Sequence, residues 1–314
     1  MAFVPASENK AMKLSAEDER LLPGERDVAF YREHGWYLSK RLLSDGEVDE
    51  LAEAATAFWA GHRDRTLPRR PPNLTYWEPA HGDVFRNNDY ICYESATIAR
   101  ILITPIIGAV AARLARTTQI RLLNSTLWYK PPLPEEPTGT VPWHLDKDYW
   151  QNHTSGELLT AFVPLHDCPE EMGTLTMVDG SHRWPYSPND DGSRHFSERD
   201  HAALEQMLKD GARAGGAEVH KIPVHIPKGH MTFHHCRLYH GSGPNYSSRP
   251  RMSVGLHLQD RDNRWREHRL ADGRSLTYNH DVLVRKTPEG HPDYADPEFC
   301  PVLWEGSLHA PPAT

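Results

Sequence analysis

From Gln119 onward the chain breaks into short β-prone runs separated by Gly, Pro and Asn, and this punctuation constrains the fold more than any other feature. Strands of a βαβ sheet alternate with long helical segments, whereas closely spaced strands closed by turn residues build a sandwich or barrel. The runs cover 120–129, 158–165, 173–178, 219–226, 230–238 and 251–258. One helical insertion over 197–209 interrupts them, with Leu204, Met207 and Leu208 as its apolar stripe. The last run alternates strictly: Arg251, Ser253, Gly255, His257 and Gln259 fall on one face, Met252, Val254, Leu256 and Leu258 on the other. In a barrel the apolar face packs under helices and the polar face lines a cavity, which turns Arg251 inward.

The helices precede this region. Residues 25–34 read as a helix ended by Gly35, with a short strand at Trp36, Tyr37 and Leu38. Ser44 stands three residues before Glu47, the spacing of a capping box, and Val48, Leu51, Ala55 and Phe58 continue a helix to about Gly61. Residues 67–89 have no period and read as a long loop. Residues 101–115 are the most apolar stretch, too short to span a bilayer and carrying Pro105 and Arg113, and are expected as a buried helix. We therefore expect one domain over 1–314: a mainly helical part at 1–118, a β core at 119–260 and a C-terminal extension at 261–314.

Within the β core, His144 and Asp146 flank Leu145. In an extended strand residues two apart project from the same side, so an imidazole and a carboxylate at this spacing can grip one ion together. The chain holds twenty histidines and four His-x-Asp triplets, so the motif needs context. His62 and Asp64 end a surface helix, where such residues diverge. His81 and Asp83 flank Gly82 in a polar loop, and His291 and Asp293 flank Pro292 among turn formers. Only the 144 and 146 pair has a downstream partner set, His240 with Gly-Ser-Gly-Pro-Asn and then Arg251.

Two histidines and a carboxylate on one face of a metal leave the other face open, the facial triad of non-haem Fe(II) oxygenases. Three open positions accommodate a bidentate 2-oxo acid and O2. The far carboxylate of such an acid suits a guanidinium fork with a hydroxyl beside it, and Arg251 and Ser242 are the candidates. Arg249 shares the strand parity of Arg251, so spacing alone does not separate them.

The stretch Trp-His144-Leu-Asp146, the block from Glu171 to His182, His240-Gly-Ser-Gly-Pro-Asn with Arg251, and Phe30 to Ser39 together resemble the phytanoyl-CoA dioxygenase family of Fe(II)/2-oxoglutarate oxygenases. The resemblance covers most of the chain. It implies a mainly β double-stranded β-helix, a jelly roll of the cupin kind with flanking helices, and metal ligands at His144, Asp146 and His240. It also implies Arg251 and Ser242 on the 2-oxoglutarate carboxylate, with Lys130 and Trp150 as further co-substrate contacts, although Trp150 reads equally as core. Asp148, Tyr149, Trp184, Tyr186 and the 67–89 loop are candidates for the substrate pocket. His182 is read first as a structural hydrogen bonder and second as a substrate contact.

Halogenases related to this family replace the carboxylate with a small residue. The presence of Asp146 makes hydroxylation of an unactivated C–H in a small molecule the expected reaction, with O2 and 2-oxoglutarate giving succinate and CO2. Desaturation, cyclisation and demethylation are alternatives on the same cofactors. A non-catalytic or zinc-binding cupin-like protein is the alternative of a different class, suggested by His234, His235, Cys236 and His240, but no Cys-x-x-Cys completes a closed site. A formal charge of −8, with scattered Lys and Arg, argues against nucleic acid as a partner. Cys92, Cys168, Cys236 and Cys300 are widely spaced and read as reduced thiols in a cytoplasm, no export signal opens the chain, and no membrane association is expected.

Overall fold

A computed structural model describes residues 12–71, 74, 76–132, 139–186, 201–270 and 272–307. Short helices lead the chain: α1 (Ala16–Leu21), α2 (Glu25–His34), α3 (Asp45–Trp59), α4 (Ile91–Glu94), α5 (Ala96–Leu102) and α6 (Pro105–Ala115). Their ends follow local chemistry. Gly35 closes α2 in the left-handed region at φ 80°, its N–H donating to the Tyr31 carbonyl. Ser44 Oγ accepts from the Glu47 N–H while the Glu47 carboxylate accepts from the Ser44 N–H, completing the capping box of α3. The expected helix over 101–115 is two helices bent by 51°, because Pro105 holds Thr104 extended (φ −125°, ψ 150°). Among the described residues no single helix is long and apolar enough to cross a membrane.

The strands form two sheets. The larger has the order β1 (Trp36–Leu38), β8 (Thr232–His235), β5 (Leu159–Pro164), β10 (Arg251–Asp260), β3 (Gln119–Lys130) and β11 (Val302–Glu305), with β2 (Arg86–Asp89) also on β3. The smaller has the order β4 (Val141–His144), β9 (His240–Ser242), β6 (Thr176–Val178) and β7 (Lys221–Pro223). All the pairings are antiparallel, and the chain has the jelly-roll fold. The helical insertion is α7 (His201–Ala214), five residues longer at its C-terminal end than the expected span, while 197–200 lie outside the described residues. A short α8 (Asn279–Leu283) lies in the C-terminal extension.

Each face of the large sheet does what its alternation dictates. Val254, Leu256 and Leu258 join Leu159, Ala161, Val163 and Phe233 beneath α3, α5 and α6. The opposite face meets the small sheet around Phe162, Met177, Val224, Ile226 and Leu238. At roughly 25 cal/mol per Å² of apolar surface, these layers supply most of the driving force for the fold.

Three further elements depart from expectation. The 67–89 loop contains β2, a polar Arg-Asn-Asn-Asp run recruited by the edge of β3, with the Arg86 guanidinium 4.0 Å from the ring centroids of both Trp77 and Tyr129. The 230–238 run is a four-residue strand, and His240 opens its own strand, β9, in the other sheet. The C-terminal extension contributes β11 to the far edge of β3, packed so closely that a Cβ on Gly108 of α6 would lie 2.7 Å from the Leu303 carbonyl carbon.

Candidate metal centre

His144 is the last residue of β4, Leu145 remains extended (φ −113°, ψ 132°), and Asp146 opens a 3-10 turn that runs to Tyr149. Strand parity therefore persists one residue beyond the strand, and both side chains point the same way. Beside β4, β9 holds His240 in register with His144. Their rings lie 4.2 Å apart, and Asp146 Oδ1 is 3.8 Å from His144 Nε2 and 3.6 Å from His240 Nε2. The three ligand atoms all lie within 4.8 Å of one another, and among the described residues this is the one group of three or more His, Cys, Asp or Glu able to hold a metal ion.

The imidazole orientation is fixed from outside. His144 Nδ1 is 2.8 Å from the Pro142 carbonyl and His240 Nδ1 is 2.9 Å from the Leu238 carbonyl. A carbonyl only accepts, so each Nδ1 carries the proton and each Nε2 keeps its lone pair for a metal. Burial, with His144 and His234 nearby, pushes His240 well below its ordinary value and keeps it neutral. Burial alone would raise the Asp146 carboxyl, but any proton in the cluster rests on the imidazole of His240 or His234 before it reaches the carboxyl, which holds Asp146 well below the usual carboxylate range. Neutral imidazoles and an ionised carboxylate are the states that metal binding requires.

A second group lies at the other end of the inner face. Register pairs Arg251 with Lys130 across β10 and β3, and both are buried. Lys130 Nζ donates to Ser242 Oγ at 2.7 Å and to the Gly243 carbonyl at 2.5 Å. Arg251 Nη1 donates to the Gly173 carbonyl at 2.9 Å, while Arg251 Nε and Ser253 Oγ have no hydrogen-bond partner among the described residues. Neither cation has a carboxylate partner there. Burial pushes Arg251 down to about 10 and, with Arg251 adjacent, pushes Lys130 well below its ordinary value. Two buried cations without a counter-charge are costly unless an anion joins them. Arg249, which parity left open, precedes β10 and is exposed.

Other expected residues separate. Tyr149 keeps its place beside the centre, its ring 6.1 Å from His144. Tyr186 Oη donates to Asp148 at 3.1 Å and accepts from Gln151 Nε2 at 2.5 Å, a polar cluster on the same turn. Trp150, read equally as core and as a co-substrate contact, packs with Leu123, Leu158 and Cys236 and against His257, six residues along β10 from Arg251. His182, expected second as a substrate contact, is spent structurally: Nε2 donates to the Arg32 carbonyl at 3.1 Å, and the ring fills the space over Gly35. Trp184 packs against Gly211 of α7 and against Gly215 just beyond its end. The zinc reading loses its sulfur, since Cys236 Sγ lies in that same apolar cluster and donates to the Gly156 carbonyl. Of the other triplets, His62 and Asp64 are exposed, while Asp83 and Asp293 pair with Arg86 and Arg285.

Sequence pattern offers His234 only to zinc and gives Thr160 and His257 no role. All three adjoin the centre. His234 Nε2 is 3.4 Å from Asp146 Oδ2, and Thr160 Oγ1 donates to that same oxygen at 2.6 Å. Parity marks His257 as inward, but only register reveals which residues face Asp146.

The phytanoyl-CoA dioxygenase family model matches residues 31–253. Peroxisomal phytanoyl-CoA dioxygenase of Bos taurus is 24% identical over 244 residues, covering 74% of this chain and 67% of that protein. A probable alpha-ketoglutarate-dependent hypophosphite dioxygenase of Stutzerimonas stutzeri is 32% identical over 129 residues, 41% of each chain. Among solved structures, the epimerase SnoN in complex with Fe3+, alpha ketoglutarate and nogalamycin RO superposes with a TM-score of 0.63 at 26% identity, over 89% of this chain and 98% of that one. EctD from S. alaskensis, solved with 2-oxoglutarate and 5-hydroxyectoine, superposes with a TM-score of 0.58 at 22% identity, over 81% of each chain.

Proposed function

The chain belongs to the phytanoyl-CoA dioxygenase family of iron- and 2-oxoglutarate-dependent oxygenases, and we propose on that premise that it hydroxylates an unactivated C–H bond of a small molecule. One O2 and one 2-oxoglutarate are consumed; one oxygen atom enters the substrate as hydroxyl, the other enters succinate, and CO2 leaves. The observation that carries this reading is the combination of an open three-ligand donor set with two buried cations that have no carboxylate partner among the described residues, in the same barrel interior.

In this reading His144 Nε2, Asp146 Oδ1 and His240 Nε2 hold Fe(II), which supplies the activation of O2 that no protein side chain provides. Arg251 and Lys130 neutralise the far carboxylate of 2-oxoglutarate, and Ser242 adds a hydroxyl held by Lys130. Tyr149 and the Asp148, Gln151 and Tyr186 cluster face the substrate. The nearly complete burial of the triad suits a small molecule and keeps bulk water from the reacting atoms. We assign the whole chain to one oxygenase domain. The free, buried cysteines support a reducing compartment, the cytoplasm.

The test is anaerobic reconstitution with Fe(II), addition of 2-oxoglutarate and O2, and measurement of succinate with and without candidate substrates. Turnover that His144→Ala and Asp146→Ala abolish is expected. Absence of succinate from the wild-type protein, even uncoupled and across varied substrates, overturns the proposal. Product analysis then separates a gain of one oxygen from a loss of two hydrogens, the signature of desaturation or ring closure.

A further inference from the structure

The register of the large sheet sets His234, Thr160 and His257 side by side: Thr160 pairs with His234 across β5 and β8, and with His257 across β5 and β10. All three alternate with outward residues of the apolar layer, Phe233, Leu159, Ala161 and Leu256, and so face the interior. This polar row lies directly under Asp146. The two carboxylate oxygens consequently have different surroundings. Oδ1 faces His144 and His240. Oδ2 receives the Thr160 hydroxyl at 2.6 Å and has His234 Nε2 at 3.4 Å, long for a hydrogen bond but a close polar contact.

The hydroxyl has one proton, and the 2.6 Å bond to Oδ2 uses it. The 3.0 Å contact between Thr160 Oγ1 and His257 Nδ1 therefore has His257 Nδ1–H donating to the hydroxyl. A chain of donors runs His257 to Thr160 to Asp146, and Trp150 seats the ring of His257 from the side, 5.2 Å between centroids. His234 is 1% exposed, and neither of its ring nitrogens has a hydrogen-bond partner among the described residues. An imidazole so buried is costly unless it acts on a neighbour, and the polar group it reaches is Oδ2.

We propose that Thr160 and His234 are positioning residues that hold Asp146 Oδ2 away from the metal, so that the carboxylate binds through Oδ1 alone. A carboxylate free to rotate binds through both oxygens and occupies a position that the 2-oxo acid needs. The row therefore preserves the three open positions. The inference rests on the proposed iron site and adds to it the residues that fix the denticity of its carboxylate.

The test compares Thr160→Val, His234→Phe, Thr160→Ser and His234→Gln with wild type. Metal-free protein is melted thermally, then loaded anaerobically with Fe(II) and titrated with 2-oxoglutarate by the visible charge-transfer absorption of the chelate. Thr160→Val keeps the shape and loses the donor. We expect Thr160→Val and His234→Phe to weaken 2-oxoglutarate binding by about 10- to 100-fold, the range for loss of an outer partner of a metal ligand, with metal-free melting unchanged or raised. Thr160→Ser and His234→Gln, which keep donors, restore the chelate. Wild-type affinity in Thr160→Val and His234→Phe, or a loss that the donor-keeping variants fail to rescue, overturns the inference while leaving the iron site standing. If wild-type protein itself forms no Fe(II)-dependent chelate, the proposed function falls and this inference with it.

Discussion

Replacing Arg251 with Met separates stability from co-substrate binding, because the structure predicts opposite signs for the two. Arg251 is 2% exposed, holds one hydrogen bond to the Gly173 carbonyl and has no carboxylate partner among the described residues. Its fall from 12.5 to about 10 has burial as its main cause, and at ~1.4 kcal/mol per pH unit this is a cost of roughly 3 kcal/mol to the ligand-free fold. Loss of the Gly173 bond returns about 1 kcal/mol of that. Arg251→Met should therefore stabilise the metal-free, ligand-free protein by roughly 2 kcal/mol, or ~4 °C in Tm for a chain of this size. Co-substrate binding moves the other way. Truncating one partner of a buried charge pair costs about 2–5 kcal/mol, so the KM for 2-oxoglutarate should rise by about 30-fold to several thousandfold. Thermal melts with and without 2-oxoglutarate read both quantities, and the variant should lose the co-substrate's stabilising shift. A variant that melts lower than wild type and still gains the full 2-oxoglutarate shift would refute the assignment of Arg251 to an anion.

Gly173 sits at φ 66°, and a Cβ there would meet the Gly243 carbonyl oxygen at 2.4 Å; those two residues' carbonyls accept from Arg251 and Lys130. Gly173→Ala should raise the KM for 2-oxoglutarate at least tenfold, by the ~1.4 kcal/mol or more that displacing either cation costs, and steady-state kinetics at saturating substrate check it. Gly35→Ala should lose about 2–4 kcal/mol of stability, from left-handed backbone strain and overpacking against His182 Nδ1, 2.3 Å from the new Cβ. Denaturant melts measure the loss, and His182→Ala in the same background should recover part of it. Burial holds the His280 imidazole near 3 in the folded protein against 6.5 unfolded. A base whose folded value is depressed contributes its full stability above pH 6.5 and loses it as the pH falls toward 3. Between pH 7 and pH 5 this amounts to about 2 kcal/mol, and His280→Gln should flatten the pH dependence of melting by that much; an unchanged slope would remove His280 from the account.

Much of this was legible because local chemistry decided it. The capping box at Ser44 and Glu47, the left-handed stop at Gly35 and the alternation from Arg251 to Leu258 each translate into an element without help from the rest of the chain. Elements that depend on a partner were not legible. The polar run Arg86 to Asp89 is a strand only because β3 presents a free edge and Trp77 and Tyr129 flank the guanidinium. Val302 to Glu305 is a strand for the same reason.

The site divides along the same line. Parity placed His144 with Asp146, and pointed His257 and Arg251 inward, but parity has a period of two and cannot distinguish Arg249 from Arg251, or Trp150 in the core from Trp150 on a ligand. Register separates the two arginines: β10 begins at Arg251, opposite Lys130, so Arg249 is left outside. Register also brings His234 and Thr160 beneath Asp146, a contact between residues fourteen and eighty-eight positions from it that no local pattern encodes. What sequence could have flagged is the chemistry rather than the geometry. Thr160 is the one polar side chain of β5, where Leu159, Ala161, Phe162 and Val163 set the norm, and His234 follows Phe233 at an inward position of β8. A polar side chain kept in such a strand costs stability unless something inside the barrel receives it, and the group placed to receive both is the carboxylate of Asp146.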